Sequence, residues 1–255
     1  MDKDRFNRAV AAVTSVRDGQ YFAGGIGTLG EKTLHSVLKH YFEPDTGRHE
    51  VKLGGLVADI LSEDGVIEIQ TRQFVKLRSK LERFLERGKV TVVYPVARTK
   101  WLIWLDEATG EATKKRKSPK IGTPFEVFYE LWWIRSRLLH PNLTLCVVLL
   151  DLEEYRFLNG WSDSRKKGST RYDRIPVDIA DELWIRAPED YGKLVPASLG
   201  QTFTSKDFKK ASGLSLSSAQ TALNVLHLVG AVARTGKSGN SYVYERTIGK
   251  DRCNM

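Results

Sequence analysis

Between Gly54 and Thr71 the chain reads GGLVADILSEDGVIEIQT, and this stretch limits the possible folds more than any other. The Glu63-Asp64-Gly65 turn separates an apolar run containing Asp59 from a run of strict alternation. Successive side chains of a strand point to opposite faces, so Val66, Glu68 and Gln70 share one face and Ile67 and Ile69 the other. Two such runs across a short polar turn predict a β-hairpin. Asp59 then lies at the end or bend of one strand, and a common cleft receives it together with Glu68 and Gln70 from the next.

The flanking segments predict a mixed α/β core. Residues 4–21 suit a short helix with Phe6, Val10, Val13 and Val16 near one face. AGGIGTLGEK lacks the Gly-x-x-x-x-Gly-Lys-Ser/Thr spacing of a phosphate loop and reads as a turn. A helix from about Glu31 to Tyr41 follows, with Leu34, Val37, Leu38 and Tyr41 as its buried stripe. A second helix, Phe74 to Glu86, turns Leu77, Leu81, Phe84 and Leu85 inward. VTVVYPVA and WLIWLD read as two strands, ATKKRKSPK as an exposed basic loop, and PFEVFYELWWIRSRLL as a helix opened by Pro124. LTLCVVLLDLEEYRFL is apolar on both sides at first, which predicts a central strand. GWSDSRKKGSTRYDR reads as a loop at the rim of the site or the start of a linker, and DIADELWI as a small segment beyond it. A boundary near Pro188 to Pro196 divides the chain into 1–187 and 188–255.

The acids suggest chemistry. Glu31, in the first turn of its helix, can overhang the cleft that holds Asp59, Glu68 and Gln70. Two carboxylates there suit Mg²⁺, a hard cation that prefers oxygen ligands and keeps several waters. Such a metal lowers the pKa of a bound water and neutralises charge on a phosphate under attack. Gln70 could orient water or a phosphate oxygen, but an amide is not an ordinary general base. The plain alternative is that Asp59 caps a turn while Glu68 and Gln70 form the solvated face of an amphipathic strand. His35, Lys76 and Lys80 are further candidates for the cleft, and for each a solvated helix face competes. His40, His49 and His140 lack convincing ligand spacing.

The pattern Gly30-Glu31 on a helix, Asp59, then Glu68-Ile69-Gln70 before another helix resembles the PD-(D/E)xK nuclease superfamily. The resemblance covers approximately Gly24 to Asp151. It implies a restriction-endonuclease-like mixed sheet flanked by helices, and hydrolysis of phosphodiesters with Mg²⁺, for which Mn²⁺ can substitute. By that resemblance Asp59, Glu68 and Glu31 are the metal-binding acids, and Gln70 stands where the family usually has lysine. The sequence is thus an E-x-Q variant, lacking the positive group that ordinarily positions the nucleophile.

The C-terminal stretch carries a second pattern. Thr204 can cap a helix SKDFKKASG that Gly213 ends. Ser215 or Ser217 can start a second helix bearing Ala219, Ala222, Leu223, Leu226 and Leu228, and VARTG and SYVYERT then form a hairpin. Over Val195 to Thr247 this resembles winged helix-turn-helix domains. The resemblance implies that the second helix enters the major groove and presents Ser217, Ser218, Gln220, Thr221 and Asn224. Arg234, Lys237, Asn240 and Arg246 would touch phosphates from the wing, and use of the module for protein contacts is the alternative.

Charge agrees with a polyanionic partner without selecting one. The 40 Lys and Arg outnumber the 31 Asp and Glu, giving +9. That excess suits DNA, RNA or an anionic membrane surface equally. The basic runs Lys114 to Lys117 and Arg165-Lys166-Lys167, with Arg171 and Arg174, would flank a substrate backbone or form solvated faces. No apolar run approaches the roughly 20 residues of a membrane span, and the first residues lack the apolar stretch of a secretory signal. Cys146 and Cys253 make neither a disulfide framework nor a metal knuckle, so a reduced, cytoplasmic or nucleoid-associated setting is expected. The expected function is a metal-dependent DNA endonuclease acting on double-stranded or branched DNA. The alternative is a non-catalytic DNA-binding regulator with a vestigial nuclease-like core. A homodimer would serve paired-strand cleavage, although no interface signal stands out.

Overall fold

The structure, a computed structural model, describes residues 1–21, 33–106, 109, 111–157, 159 and 170–247. Helices α1 (Lys3–Tyr21) and α2 (Thr33–Phe42) precede strands β1 (His49–Leu53), β2 (Leu56–Ser62) and β3 (Gly65–Ile69). Helix α3 (Phe74–Leu85), strands β4 (Val90–Leu105) and β5 (Arg116–Lys117), helix α4 (Phe128–Leu131), and strands β6 (Leu143–Phe157) and β7 (Thr170–Ile185) follow. The C-terminal elements are β8 (Thr202–Thr204), α5 (Ser205–Ser212), α6 (Leu216–Leu228), β9 (Val232–Ser238) and β10 (Ser241–Arg246).

The architecture is α/β, with a mixed sheet flanked by helices. The seven-stranded sheet has the order β1-β2-β3-β4-β6-β7, with β5 beside β4. β3, β4 and β6 run parallel, while β1, β2 and β7 are antiparallel to their neighbours. The tight β2–β3 turn depends on Gly65. Its φ of 125° is in a region that side-chain-bearing residues avoid, and a β-carbon there would collide with the Lys89 carbonyl.

Both faces of the sheet are covered. Phe6 and Val13 of α1 and Leu34, Val37 and Leu38 of α2 pack on Ile60, Ile69, Val93, Cys146, Val148 and Ile179. The other face receives Phe74, Leu77, Leu81 and Phe84 of α3 together with Phe128, Leu131 and Ile134. Helix α3 begins after Gln73, which is left-handed (φ 61°) and makes no cap with its own side chain. Buried Glu130 supplies the cap instead, accepting the Gln73 and Phe74 amides at 3.0 and 2.7 Å. Amides at a helix start lack intrahelical acceptors, so a carboxylate there satisfies both them and the helix dipole.

Three elements differ from the sequence expectation. VTVVYPVA and WLIWL belong to one 16-residue strand, β4. The Arg-Thr-Lys between them is carried through a bulge, where Arg98 grips Asp151 with two hydrogen bonds of 2.8 and 2.6 Å. The segment expected as loop or linker contains the start of β7, and DIADELWI is its second half. Pro176 is tolerated because β7 is the last strand of the sheet and the register shifts beside its partner Leu152. The expected long helix over 124–139 is instead a short α-turn between two 3-10 segments, Pro124–Val127 and Trp132–Arg137, with non-helical backbone at Ile134. That kink still leaves Leu131, Ile134 and Leu138 buried while Trp133 faces solvent.

The C-terminal elements follow the predicted order, with β8 added. Thr204 accepts the Asp207 amide while Asp207 reaches back to the Thr204 amide, and Gly213 ends α5 at φ 73°. Ser215 caps α6 by accepting the Ser218 amide at 3.1 Å. The three strands pair in the order β8-β10-β9. Phe208 of α5 ties this part to the α3 face, meeting Phe125 and Phe128 with ring centroids at 6.3 and 6.1 Å. No helix among the described residues is long and apolar enough to cross a membrane.

Candidate acidic site at the end of the hairpin

The β2–β3 ladder pairs Ile60 with Ile67 and goes no further, so Asp59 and Glu68 would be the next rung. There the backbone rung is replaced by side chains. Glu68 Oε1 accepts the Asp59 amide at 3.2 Å, and Asp59 Oδ2 accepts the Ile69 amide at 2.8 Å. Each carboxylate is thereby fixed by the backbone of the other's strand. Strand β3 stays paired on its far side, where the Gln70 amide donates to the Val93 carbonyl at 2.9 Å. The two strands part at this point, and the acids fill the gap.

Helices on both faces add one basic side chain each. His35 of α2 sits with Nε2 3.2 Å from Asp59 Oδ2, and Lys80 of α3 places Nζ 2.6 Å from Glu68 Oε2. Glu68 is only 2 % exposed, so it is not on a solvated strand face. Burial, and then the Asp59 charge, push its carboxyl up to about 7, although Lys80 pulls the other way. Burial would also raise Asp59, but the His35 contact, the Ile69 amide and Lys80 outweigh it and hold Asp59 below the usual carboxylate value. Adjacent acids titrate as a pair, and the first proton taken up near neutrality resides on Glu68.

The remaining expected residues are placed as follows. Glu31 lies outside the described residues, as does the glycine-rich turn before it. Gln70 turns its amide onto the carbonyls of Arg72 and Gln73, shaping the turn into α3. Of the two lysines weighed for the cleft, Lys76 is exposed and Lys80 reaches the acid. Among the described residues, no three His, Cys, Asp or Glu side chains gather in an arrangement that could hold a metal ion.

On α6, Ser217 and Gln220 are exposed, with Ser218, Thr221 and Asn224 half-buried beside them. Ser218 shares a hydrogen bond with Ser215, Thr221 donates to the Ser217 carbonyl, and Asn224 accepts from Arg234 at 2.6 Å. Arg234 and Lys237 both lie over the Tyr242 ring, at 4.5 and 5.2 Å from its centre. Arg246 turns inward and donates to the Pro196 carbonyl at 2.6 Å, so it ties the entry to β8 instead of projecting from the hairpin. Arg165, Lys166 and Lys167 lie outside the described residues. Lys115 pairs with Glu153 at 3.0 Å, and Arg116 and Lys117 are exposed on β5.

Comparison with known proteins places the acidic site inside a matched region. An "Uncharacterized protein" of Treponema pallidum (strain Nichols) is 34% identical over 182 residues, covering 71% of this chain and 69% of that one. No solved structure matches. The family model described as "Domain of unknown function (DUF8091)" matches residues 32–186, which hold Asp59, Glu68, His35 and Lys80, and the chain belongs to that family.

Proposed function

We propose that this protein hydrolyses DNA phosphodiester bonds with Mg²⁺ or Mn²⁺ bound by Asp59 and Glu68, and that residues 188–255 recruit it to duplex or branched DNA. The observation that carries the reading is the pair of carboxylates interlocked where β2 and β3 part. Two acids in a poorly hydrated gap repel one another and favour a bound cation, and Lys80 offers a single positive charge against two negative ones. Their oxygen donors fit a hard divalent ion, which would supply an activated water and neutralise phosphate charge.

The chain's own residues have separable parts in this reading. Asp59, kept ionised beside His35, and Glu68 bind the cation, with Glu31 as a third acid. Lys80 takes the part the resemblance assigns to a lysine at position 70, a positive group beside the acid pair that orients the nucleophile or the phosphate. Gln70 contributes by holding the turn that aims α3 and hence Lys80. The succession of helix, acidic hairpin, helix and parallel strand in a mixed sheet supports a restriction-endonuclease-like core. The succession α5, turn, α6 and hairpin supports a winged helix. Ser217, Ser218, Gln220, Thr221 and Asn224 then face the major groove, and Arg234 and Lys237 face the backbone.

A non-catalytic DNA-binding regulator is the second reading, favoured by a Gln70 amide already engaged by backbone carbonyls. The deciding experiment offers linear, nicked, branched and single-stranded DNA with Mg²⁺ or Mn²⁺ to the wild type and Glu68→Ala. Metal-dependent cutting by the wild type alone is expected. Absence of cutting alongside equal DNA binding by both proteins would replace the nuclease by the regulator.

A further inference from the structure

Beyond the acidic site, the far halves of β4, β6 and β7 form an arm whose one face is crowded with cations. Glu154, 1 % exposed, is the anion at its centre. Arg156 contacts Glu154 directly, Lys100 Nζ is 3.2 Å from it and Arg171 Nε 3.6 Å. Arg174 stands opposite Glu154 across the β6–β7 pair, and Arg171 stands opposite Arg156. One carboxylate therefore faces four cations.

Two of those cations retain free donors. Lys100 and Arg156 are committed to Glu154, whereas Arg171 reaches it by a single long contact. The half-buried Arg174 guanidinium makes no hydrogen bond to any described residue. Burial, then Arg171, hold Arg174 down at about 10, with exposed Arg72 adding to the repulsion. A concentration of unneutralised guanidinium groups costs stability, and a phosphate accepting their forked donors would relieve it.

The arm also joins the acidic site. Asp173, next to Arg174 but on the opposite face of β7, accepts the Thr33 amide at 3.3 Å and the Thr33 hydroxyl. Thr33 opens α2, and His35 of the same turn touches Asp59. On the other side, Arg72 follows Gln70 by two residues. The first turn of α2 thus joins β7, through Asp173, to Asp59 of the acidic site.

We propose that Arg171 and Arg174 on the β4–β6–β7 arm form a docking site for backbone phosphates of the DNA strand that enters the acidic site. Glu154 serves as the fixed anion that holds Lys100 and Arg156 in place beneath them. This inference rests on the nuclease reading, since it places the strand beside Asp59 and Glu68.

The test measures binding of a fluorescein-labelled 20-base-pair duplex (about two turns) to the full chain in EDTA, by anisotropy over a range of salt concentrations. Wild type, Arg171→Gln, Arg174→Gln, the double variant and Lys52→Gln, an exposed cation on β1, are compared, with thermal melting of each. Each phosphate contact contributes about 0.9 to the slope of log affinity against log salt. The double variant is expected to lower that slope by about 2 and Arg171→Gln by about 1, with Lys52→Gln unchanged. Wild-type slope in the folded double variant, or in Arg171→Gln if the double variant does not fold, overturns the arm site and leaves the nuclease reading standing. Failure of the wild type to bind DNA even at low salt overturns both.

Discussion

Replacing Glu68 by glutamine isolates the electrostatic cost of the acidic site. The Glu68 carboxyl titrates at about 7 in the folded protein against an ordinary 4.5. A carboxyl whose folded value is raised binds its proton more tightly in the native state. Its contribution is intact below 4.5 and is lost as pH rises through 7. At about 1.4 kcal/mol per tenfold difference in proton affinity, the full loss is about 3 kcal/mol. Asp59 behaves oppositely: its lowered value gives stability above about 4 that is lost on acidification, outside this window. The Glu68→Gln side chain keeps the shape and does not ionise, and Lys80, which is 25% exposed, can turn to water.

Urea unfolding of both proteins in EDTA at intervals from pH 4.5 to 8.5 would therefore show the difference moving toward the variant by about 3 kcal/mol. Titrating groups remote from the acidic site cancel in that difference. Added Mg²⁺ should restore wild-type stability at pH 8, by about 2.7 kcal/mol at a hundredfold excess over its dissociation constant, and leave the variant unmoved. A difference that stays constant across the pH range would refute the claim that Glu68 is held charged at a cost. A magnesium effect equal in both proteins would refute its role as a ligand.

Two predictions concern the frame around the site. Glu130→Ala leaves the Gln73 and Phe74 amides without their acceptor and should destabilise the protein by about 2 kcal/mol, with Glu130→Gln less affected, as read by urea unfolding. Unchanged stability would mean that water caps α3 equally well. Phe208→Ala empties a fully buried position among Phe125, Phe128 and Phe203 and should cost about 3–5 kcal/mol, with proteolysis between 188 and 204 accelerated. Equal cleavage rates would show that Phe208 does not anchor the C-terminal elements.

The acid pair was legible because strand alternation and a short turn are local properties. Val66, Ile67, Glu68 and Ile69 declare their strand within five residues, and Gly65 marks the turn. What local pattern could not give was depth. Glu68 reads as the polar member of an amphipathic strand and is buried only because α2 and α3 close over both faces. The choice between Lys76 and Lys80 likewise depends on how α3 is rotated, which Glu130, 56 residues away, helps to set through the Phe74 amide. Strand β7 was obscured by Pro176 and its acidic residues, features that an edge position and a bulge accommodate. Arg171 and Arg174 read as residues flanking a substrate backbone, but their placement beside Glu154 emerges only once their strand is paired with β6. The expectation of one α-helix over 124–139 gives way to 3-10 segments and, at Ile134, to non-helical backbone, while the apolar side chains stay inward.

The acidic gap and the basic arm are better understood as one electrostatic unit than as two features. Interlocked carboxylates at a strand end are rigid, because moving either one breaks a hydrogen bond to the other's backbone. Rigidity is useful to a site that must hold charge in a fixed position, but negative charge alone would repel a phosphodiester. The free guanidinium donors stand on β7, whose pairing with β6 fixes the backbone that carries them and whose Asp173 ties the strand to α2. A flexible basic loop would attract a polyanion from farther but would not set its register. Cations built into paired strands favour the anion in one track, and in the proposed function that track ends at Asp59 and Glu68. The two sites should accordingly be coupled. Neutralising the arm would weaken DNA binding at every salt concentration that permits it, whereas neutralising Glu68 would relieve repulsion and leave binding intact or tighter while cutting is lost.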